Sequence, residues 1–343
     1  MRVAELLGVR QFRLSERPEP KPGPGEIRVR VGAVGLCGSD LHNYAEGSVG
    51  DTPCVYPMVV GHEPAGVVDK PGAGVTGWAR GDRAVFEPAI YCYHCELCLS
   101  GRHNICANLR FLSSTEDPGF LRDYVILPAH NVLPLPAHLS LDEGTVAEPL
   151  AVVLHSMKFA AIQPGETVAV FGAGPIGLLT VASLKMSGAS RIWVFDPVAR
   201  RREIAIEMGA TAAFDPREVD PVREIARESR KRGVDVAIDC AAKGGSINLC
   251  LRVTRNGGRV VYTAIPSEPA VEFEFHVARR KELAIYNVRR SNHETETAIQ
   301  LLAEHPQAFR PMLTHALPLE QVDRAFRILE KYEDGVGKII IRL

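Results

Sequence analysis

No stretch of the 343 residues is apolar over the length of a membrane span, and neither sign of charge prevails. Forty Lys plus Arg stand against 41 Asp plus Glu, for a formal net charge of -1. The first lack argues against a membrane-spanning chain. The second removes any global field that would draw the chain to nucleic acid or anionic lipid. No internal repeat, low-complexity run or disordered linker is visible. The opening Met1-Arg-Val-Ala-Glu-Leu-Leu-Gly8 has neither the long apolar core nor the cleavage site of a signal peptide. A cytoplasmic protein with no membrane and no nucleic-acid partner is the expectation.

What is present points to chemistry. Hydrophobic residues make up 46% of the chain, enough for two cores and two domains. Of eight cysteines, four fall in Cys92-Tyr-His-Cys95-Glu-Leu-Cys98 and Cys106. That crowding suits a metal better than a disulfide framework. Four thiolates are the donor set of a closed, tetrahedral structural zinc, with no position left for water. An iron–sulfur cluster is the alternative. The lobe carries one Arg and no Lys, which speaks against a phosphate-binding ribbon.

The second signal is Val168-Ala-Val-Phe-Gly172-Ala-Gly174-Pro175-Ile176-Gly177, a strand-like run opening into a helix-like one to Met186. In such a Gly-x-Gly-x-x-Gly turn, Gly172 permits the bend and Gly174 lets a pyrophosphate approach the backbone. Gly177 then packs the helix on the strand. A second strand, Arg191–Phe195, ends at Asp196, placed to take the hydroxyls of an adenosine ribose.

Three polar interruptions of apolar runs form the third signal: Cys37-Gly-Ser39-Asp40-Leu-His42, Gly61-His62-Glu63, and Ala147-Glu148-Pro. Cys37, His62, Glu63 and Glu148 supply the soft and hard donors of a catalytic zinc with an exchangeable position. Spacing alone does not make them meet, and a core histidine with two ion pairs or caps explains them as well.

Residues 1–36 read as short strands and turns, the start of a β-rich domain. From 150 to 288, strands alternate with helices, which predicts a parallel, doubly wound sheet. The tail ends in a strand, Lys338–Leu343, expected to rejoin the first domain. The loop from Tyr44 to Tyr56 is expected to shape a pocket.

In this order, the motifs resemble those of zinc-dependent medium-chain alcohol dehydrogenases, and most of all the sorbitol (polyol) dehydrogenase branch. The resemblance spans essentially the whole chain. It implies an α/β protein with a GroES-like β-rich catalytic domain (1–152 and 289–343, zinc lobe about 90–108) and a Rossmann domain (153–288), with a cleft between them. It implies two zinc ions per chain. Cys37, His62 and Glu63 would hold the catalytic one, and Glu148 would ligate it or its water. Cys92, Cys95, Cys98 and Cys106 would hold the structural one. Asp40 would fix the tautomer of His62, and Ser39 and His42 would relay a proton. Gly172, Gly174, Pro175, Ile176 and Gly177 would bind the dinucleotide, with Asp196 on the ribose and Arg201 on the adenine side. Arg290 matches a substrate-side arginine, although Ser291 replaces the aromatic residue that follows it in the polyol branch. Asp196 favours NAD over NADP, because it would repel a 2'-phosphate; Arg200, Arg201 and Arg202 follow it closely. The implied reaction carries a hydride between a secondary alcohol or polyol and NAD, giving the ketone, in a homotetramer or homodimer. A threonine-type amino-alcohol dehydrogenase and a non-catalytic dinucleotide-binding protein are the rival readings.

Overall fold

The computed structural model describes all 343 residues. Contacts divide the chain into two units. One comprises Met1–Ala151, Ser291–Pro306 and Leu313–Leu343; the other comprises Val152–Arg290 and Gln307–Met312. The expected boundaries at 152 and 289 differ from these by one or two residues. Residues 307–312 depart further: the turn at Arg310–Met312 packs on the helix Ala199–Glu207 of the second unit.

The first unit opens with an antiparallel hairpin, β1 (Arg2–Gly8) and β2 (Gln11–Glu16). Its main sheet is built on β3 (Glu26–Gly35), where Ile27, Val29 and Val31 point inward and alternate with Glu26, Arg28 and Arg30. Beyond Val31 both faces are covered, so the strand turns small and apolar. One edge of β3 pairs with β4 (Glu63–Pro71), which continues through β5 (Arg83–Phe86). The first half of its other edge pairs with β6 (Tyr124–Pro128), and β7 (Val132–Pro134) closes the far side of β5. Helix α1 (Gly38–Ala45) follows β3 directly. Tyr44, the first residue of the loop expected to shape a pocket, is buried on α1. Its ring lies 5.7 Å from Phe12 and 4.9 Å from Phe326, so the loop beyond it begins from a packed anchor.

Helix α2 (Ala147–Ala160) carries the chain into the second unit. There β8 (Thr167–Phe171), β9 (Arg191–Phe195), β10 (Ala212–Phe214), β11 (Val234–Asp239), β12 (Thr254–Tyr262) and β13 (Ala284–Asn287) form one parallel sheet in the order β10-β9-β8-β11-β12-β13. This is the doubly wound order, with its switch point beside β8. Strands β8 and β11 are buried along almost their whole length because helices cover both faces. Phe171, Phe195 and Phe214 stack across three adjacent strands. β12 begins at Thr254 and shifts register against β11 between Val234 and Val236.

After β8 the backbone turns at Gly172, whose φ of 92° lies in the left-handed region. Helix α3 (Pro175–Met186) starts with Pro175 in its first turn, where a missing N–H costs nothing. A Cβ at Gly177 would overlap the carbonyl oxygen of Gly172. Helix α4 (Ala199–Glu207) follows β9.

The chain then returns to the first sheet with β14 (Leu313–Pro318), helix α5 (Val322–Lys331) and β15 (Lys338–Arg342). β15 takes the remaining edge of β3, pairing Ile340 with Gly35, and β14 runs parallel to it outside.

Gly177→Ala forces β8 and α3 apart. It is expected to lower the stability of the second unit by about 1–3 kcal/mol, read as an earlier unfolding midpoint in urea.

Candidate functional site

The end of β3 sets the site. Cys37 is the N-cap of α1, and its backbone N–H donates to Asp40 Oδ2 at 3.1 Å, so the helix start fixes both residues. β4 places Glu63 opposite Gly35 in the ladder, with His62 just before it. Donor atoms of Cys37, His62 and Glu63 come within 4.8 Å of one another, with His62 and Glu63 buried. Sulfur, imidazole and carboxylate at one point match a zinc site that keeps an open position, so these residues fit the metal implied by the sequence.

Glu148, at the start of α2, stands outside that trio but within its field. Burial pushes its carboxyl up to about 8 in the metal-free chain. His62 and Lys338 oppose that rise, and Glu63 and Glu87 add to it. Below that value such a carboxyl holds its proton.

Asp40 is fully buried. Besides the Cys37 amide, it accepts from Gly61 N at 3.0 Å and from Ser113 Oγ at 3.2 Å, both on Oδ1. His62 Nδ1 lies 3.3 Å from the same oxygen, an ion-pair contact rather than an aligned hydrogen bond. Burial alone would raise Asp40, yet His62 and the two amides outweigh it and hold the carboxyl below its usual range. Burial likewise opposes protonation of His62, and Asp40 and Cys37 overcome it. With Nδ1 turned to Asp40, Nε2 is the nitrogen left for a metal. The Phe111 ring packs on the imidazole, with centroids 5.3 Å apart.

Ser39 and His42 stand on α1 without a hydrogen bond to each other. His42 Nδ1 is held by Glu46 Oε2 at 2.8 Å, one helical turn on.

Lys338 is the residue the sequence reading missed. It is the first residue of β15 and fully buried. Its Nζ donates to the carbonyl of Leu36 at 2.9 Å and forms an ion pair with Glu63 Oε2. Gly35 makes room for the pair, since a Cβ there would overlap Glu63 Oε2 and stand 2.9 Å from Lys338 Cε. The one hint in the sequence was a lysine opening an otherwise apolar strand, Lys338-Ile-Ile-Ile.

The four-cysteine lobe is gathered. Cys92 Sγ lies 3.9 Å from Cys98 Sγ and 3.4 Å from Cys106 Sγ, and Cys95 Sγ lies 3.9 Å from Cys106 Sγ. A tetrahedral zinc with thiolate bonds near 2.3 Å needs sulfurs roughly 3.8 Å apart, so the lobe fits a closed site. Asn292 fastens it: Oδ1 accepts from His103 N at 3.0 Å, and Nδ2 donates to Gly101 O at 2.8 Å.

In the second unit, Asp196 serves the glycine turn itself. Its Oδ2 accepts from Ala173 N at 2.7 Å and its Oδ1 from Val198 N at 2.8 Å. Arg201 is buried, with Nη1 3.9 Å from where a Cβ on Gly174 would stand. Arg200 pairs with Glu203 at 2.9 Å and Arg202 with Asp215 at 3.1 Å. Arg290 lies at the edge of this unit in the left-handed region, φ 55°.

Comparison with known proteins agrees with this geometry. Residues 23–137 match the family "Alcohol dehydrogenase GroES-like domain" and residues 175–304 match "Zinc-binding dehydrogenase". The chain is 32% identical over 341 residues to a sorbitol dehydrogenase of Bacillus subtilis, covering 99% of this chain and 97% of that one. Among solved structures, a zinc-binding dehydrogenase of Sinorhizobium meliloti 1021 bound to NADP superposes with a TM-score of 0.92 at 30% identity, covering 100% and 99% of the two chains. An alcohol dehydrogenase of Escherichia coli CFT073 complexed with NADH gives 0.91 at 28%, covering 100% and 99%.

Lys338→Met leaves Glu63 charged and buried without its partner. A loss of about 3–5 kcal/mol is expected in thermal or urea unfolding of the chelated protein. Adding Glu63→Gln to Lys338→Met is expected to recover most of it. Glu148 gives a pH test. Unfolded, it titrates near 4.5; folded and metal-free, near 8. Between those values the native state keeps a proton that the unfolded state has released, so its contribution falls as pH rises, by up to ~1.4 kcal/mol per pH unit. Glu148→Gln is expected to flatten that part of the stability profile of the chelated protein.

Proposed function

The chain belongs to the zinc-dependent medium-chain alcohol dehydrogenases, and on that premise we propose that it interconverts a secondary alcohol or polyol of the sorbitol type and its ketone, with NAD as partner. The observation that carries this is the meeting of Cys37, His62 and Glu63 at one buried point in a chain that also has an intact glycine turn. When bound, zinc supplies a Lewis acid for the alcohol oxygen and the nicotinamide a hydride acceptor.

The chain's own residues do the rest. Cys37, His62 and Glu63 hold the metal, and Asp40 orients His62 through Nδ1. Glu148, a protonated carboxyl in the metal-free chain, serves as the exchangeable donor. Ser39 and His42, both on α1, would carry the alcohol proton outward. Glu46 holds His42 Nδ1, which leaves Nε2 for the transfer. Arg290 contacts the substrate. The second zinc, on Cys92, Cys95, Cys98 and Cys106, is structural.

NAD is favoured over NADP for two reasons. Asp196 presents a carboxylate at the ribose position, and Arg200 and Arg202 are already engaged by Glu203 and Asp215. Gly172, Gly174, Pro175, Ile176 and Gly177 receive the pyrophosphate, and Arg201 lies on the adenine side. A homodimer or homotetramer is supported by β13, whose outer edge is open, and by the exposed rings of Phe273 and Phe275. Eight free thiols suit the reducing cytoplasm. No helix is long and apolar enough to cross a membrane.

The test is nucleotide reduction with NAD and with NADP across sugar alcohols, diols, simple secondary alcohols and threonine, before and after chelation and zinc restoration. Zinc-dependent turnover of polyols with NAD is expected. His62→Ala should lose it while keeping the parent circular dichroism. Turnover of threonine alone would move the assignment to amino alcohols. No turnover by a protein shown to hold zinc and NAD would favour a non-catalytic binder.

A further inference from the structure

Ser113 is held in a conformation that serine rarely adopts. Its φ is 96°, in the left-handed region that glycine occupies freely. It is buried, and its backbone N–H is tied to Asp117 O at 2.8 Å. Leu112 N donates to Pro88 O at 3.0 Å, which fixes the approach of the segment from the other side. Strain kept in a buried residue beside a reactive centre is an observation that calls for a function.

The side chain supplies one. Ser113 Oγ donates to Asp40 Oδ1 at 3.2 Å, across 73 residues of sequence. That oxygen also takes the Gly61 amide and faces His62 Nδ1. Two residues before, Phe111 lays its ring on the same imidazole. One short segment therefore touches both members of the Asp40–His62 couple. The amides of Cys37 and Gly61 fix Asp40 from the two elements that also carry the metal donors. Ser113 is the third point of support, and it comes from outside them.

We propose that Ser113 is a positioning residue of the catalytic metal centre, its hydroxyl holding Asp40 Oδ1 towards His62 so that His62 presents Nε2 to the metal in a single orientation. This rests on the reading of Cys37, His62 and Glu63 as the metal donors. A glycine would fit the backbone better, so the hydroxyl accounts for a side chain at this position.

Two variants separate the hydroxyl from the backbone. Ser113→Gly removes the hydroxyl and relieves the strain. Ser113→Ala removes the hydroxyl and keeps the strain. Three quantities are measured on each: zinc affinity by chelator competition, the visible spectrum with cobalt at the catalytic site, and the thermal midpoint of the chelated protein. In both variants the catalytic site should lose ~10–100-fold in zinc affinity, the typical loss when a residue supporting a metal ligand is removed. The cobalt bands should change, and zinc at the four-cysteine lobe should be retained. The midpoint of Ser113→Gly should equal or exceed the parent's, and that of Ser113→Ala should fall below it. Weaker metal binding in a protein that is no less stable is a pattern a merely structural serine would not produce. Parent-like affinity and cobalt spectrum in Ser113→Gly would overturn the proposal, and a midpoint below that of Ser113→Ala would overturn the strain argument behind it. A parent that binds zinc only at the four-cysteine lobe would overturn the metal-centre reading itself, and this role with it.

Discussion

The first unit depends on balancing charge where water cannot help. Asp40, His62, Glu63 and Lys338 are all buried, and Glu148 lies among them. An ion taken out of water loses several kcal/mol of solvation, and only a well-placed partner or a metal recovers it. The pairing here is in series. Asp40 faces His62 and Lys338 faces Glu63, while Cys37 completes the ring of donors. Glu148 has no such ion-pair partner, and burial pushes its carboxyl up. A divalent cation at the centre would offset the negative charge of Cys37, Glu63 and Glu148.

Strand pairing makes that balance possible. β3 receives β4 on one side and β15 on the other at the same residue, Gly35. The ladder therefore brings Glu63 and Lys338 to one point, and the missing side chain of Gly35 leaves the space they occupy. The price is rigidity: a methyl group at Gly35 would separate the pair. Helix α1 adds Cys37 and Asp40 through its first turn, where the cap geometry satisfies the backbone and aims both side chains. The second cluster of donors is different in kind. Four thiolates within one local loop need no help from a distant strand, only a fastening, which Asn292 supplies.

The second unit follows a separate logic. Its parallel sheet is buried on both faces, so its strands read as unbroken apolar runs and its function sits in the turns. Asp196 shows how far one residue can be shared. Its two oxygens brace the glycine turn and the start of α4, and the same carboxylate stands at the position expected to meet a ribose.

Much of this was legible in the residues. Period-two alternation in β3, the apolar run into Gly172, the crowded cysteines and the polar interruptions at Cys37, His62 and Glu63 are local signals, and local geometry is what sequence spacing encodes. The parallel, doubly wound sheet and the crowding of the four cysteines followed from them, whereas the meeting of Cys37, His62 and Glu63 did not follow from spacing. Lys338 and Ser113 were not legible. One reaches Glu63 only because β15 returns to β3 from the far end of the chain. The other reaches Asp40 only because a turn holds a serine at φ 96°. The amino-acid sequence by itself determined which donors exist and which elements carry them, because those depend on neighbours in the chain. Tertiary structure alone decided which charges face each other, because a buried charge is set by whatever the folded chain packs against it.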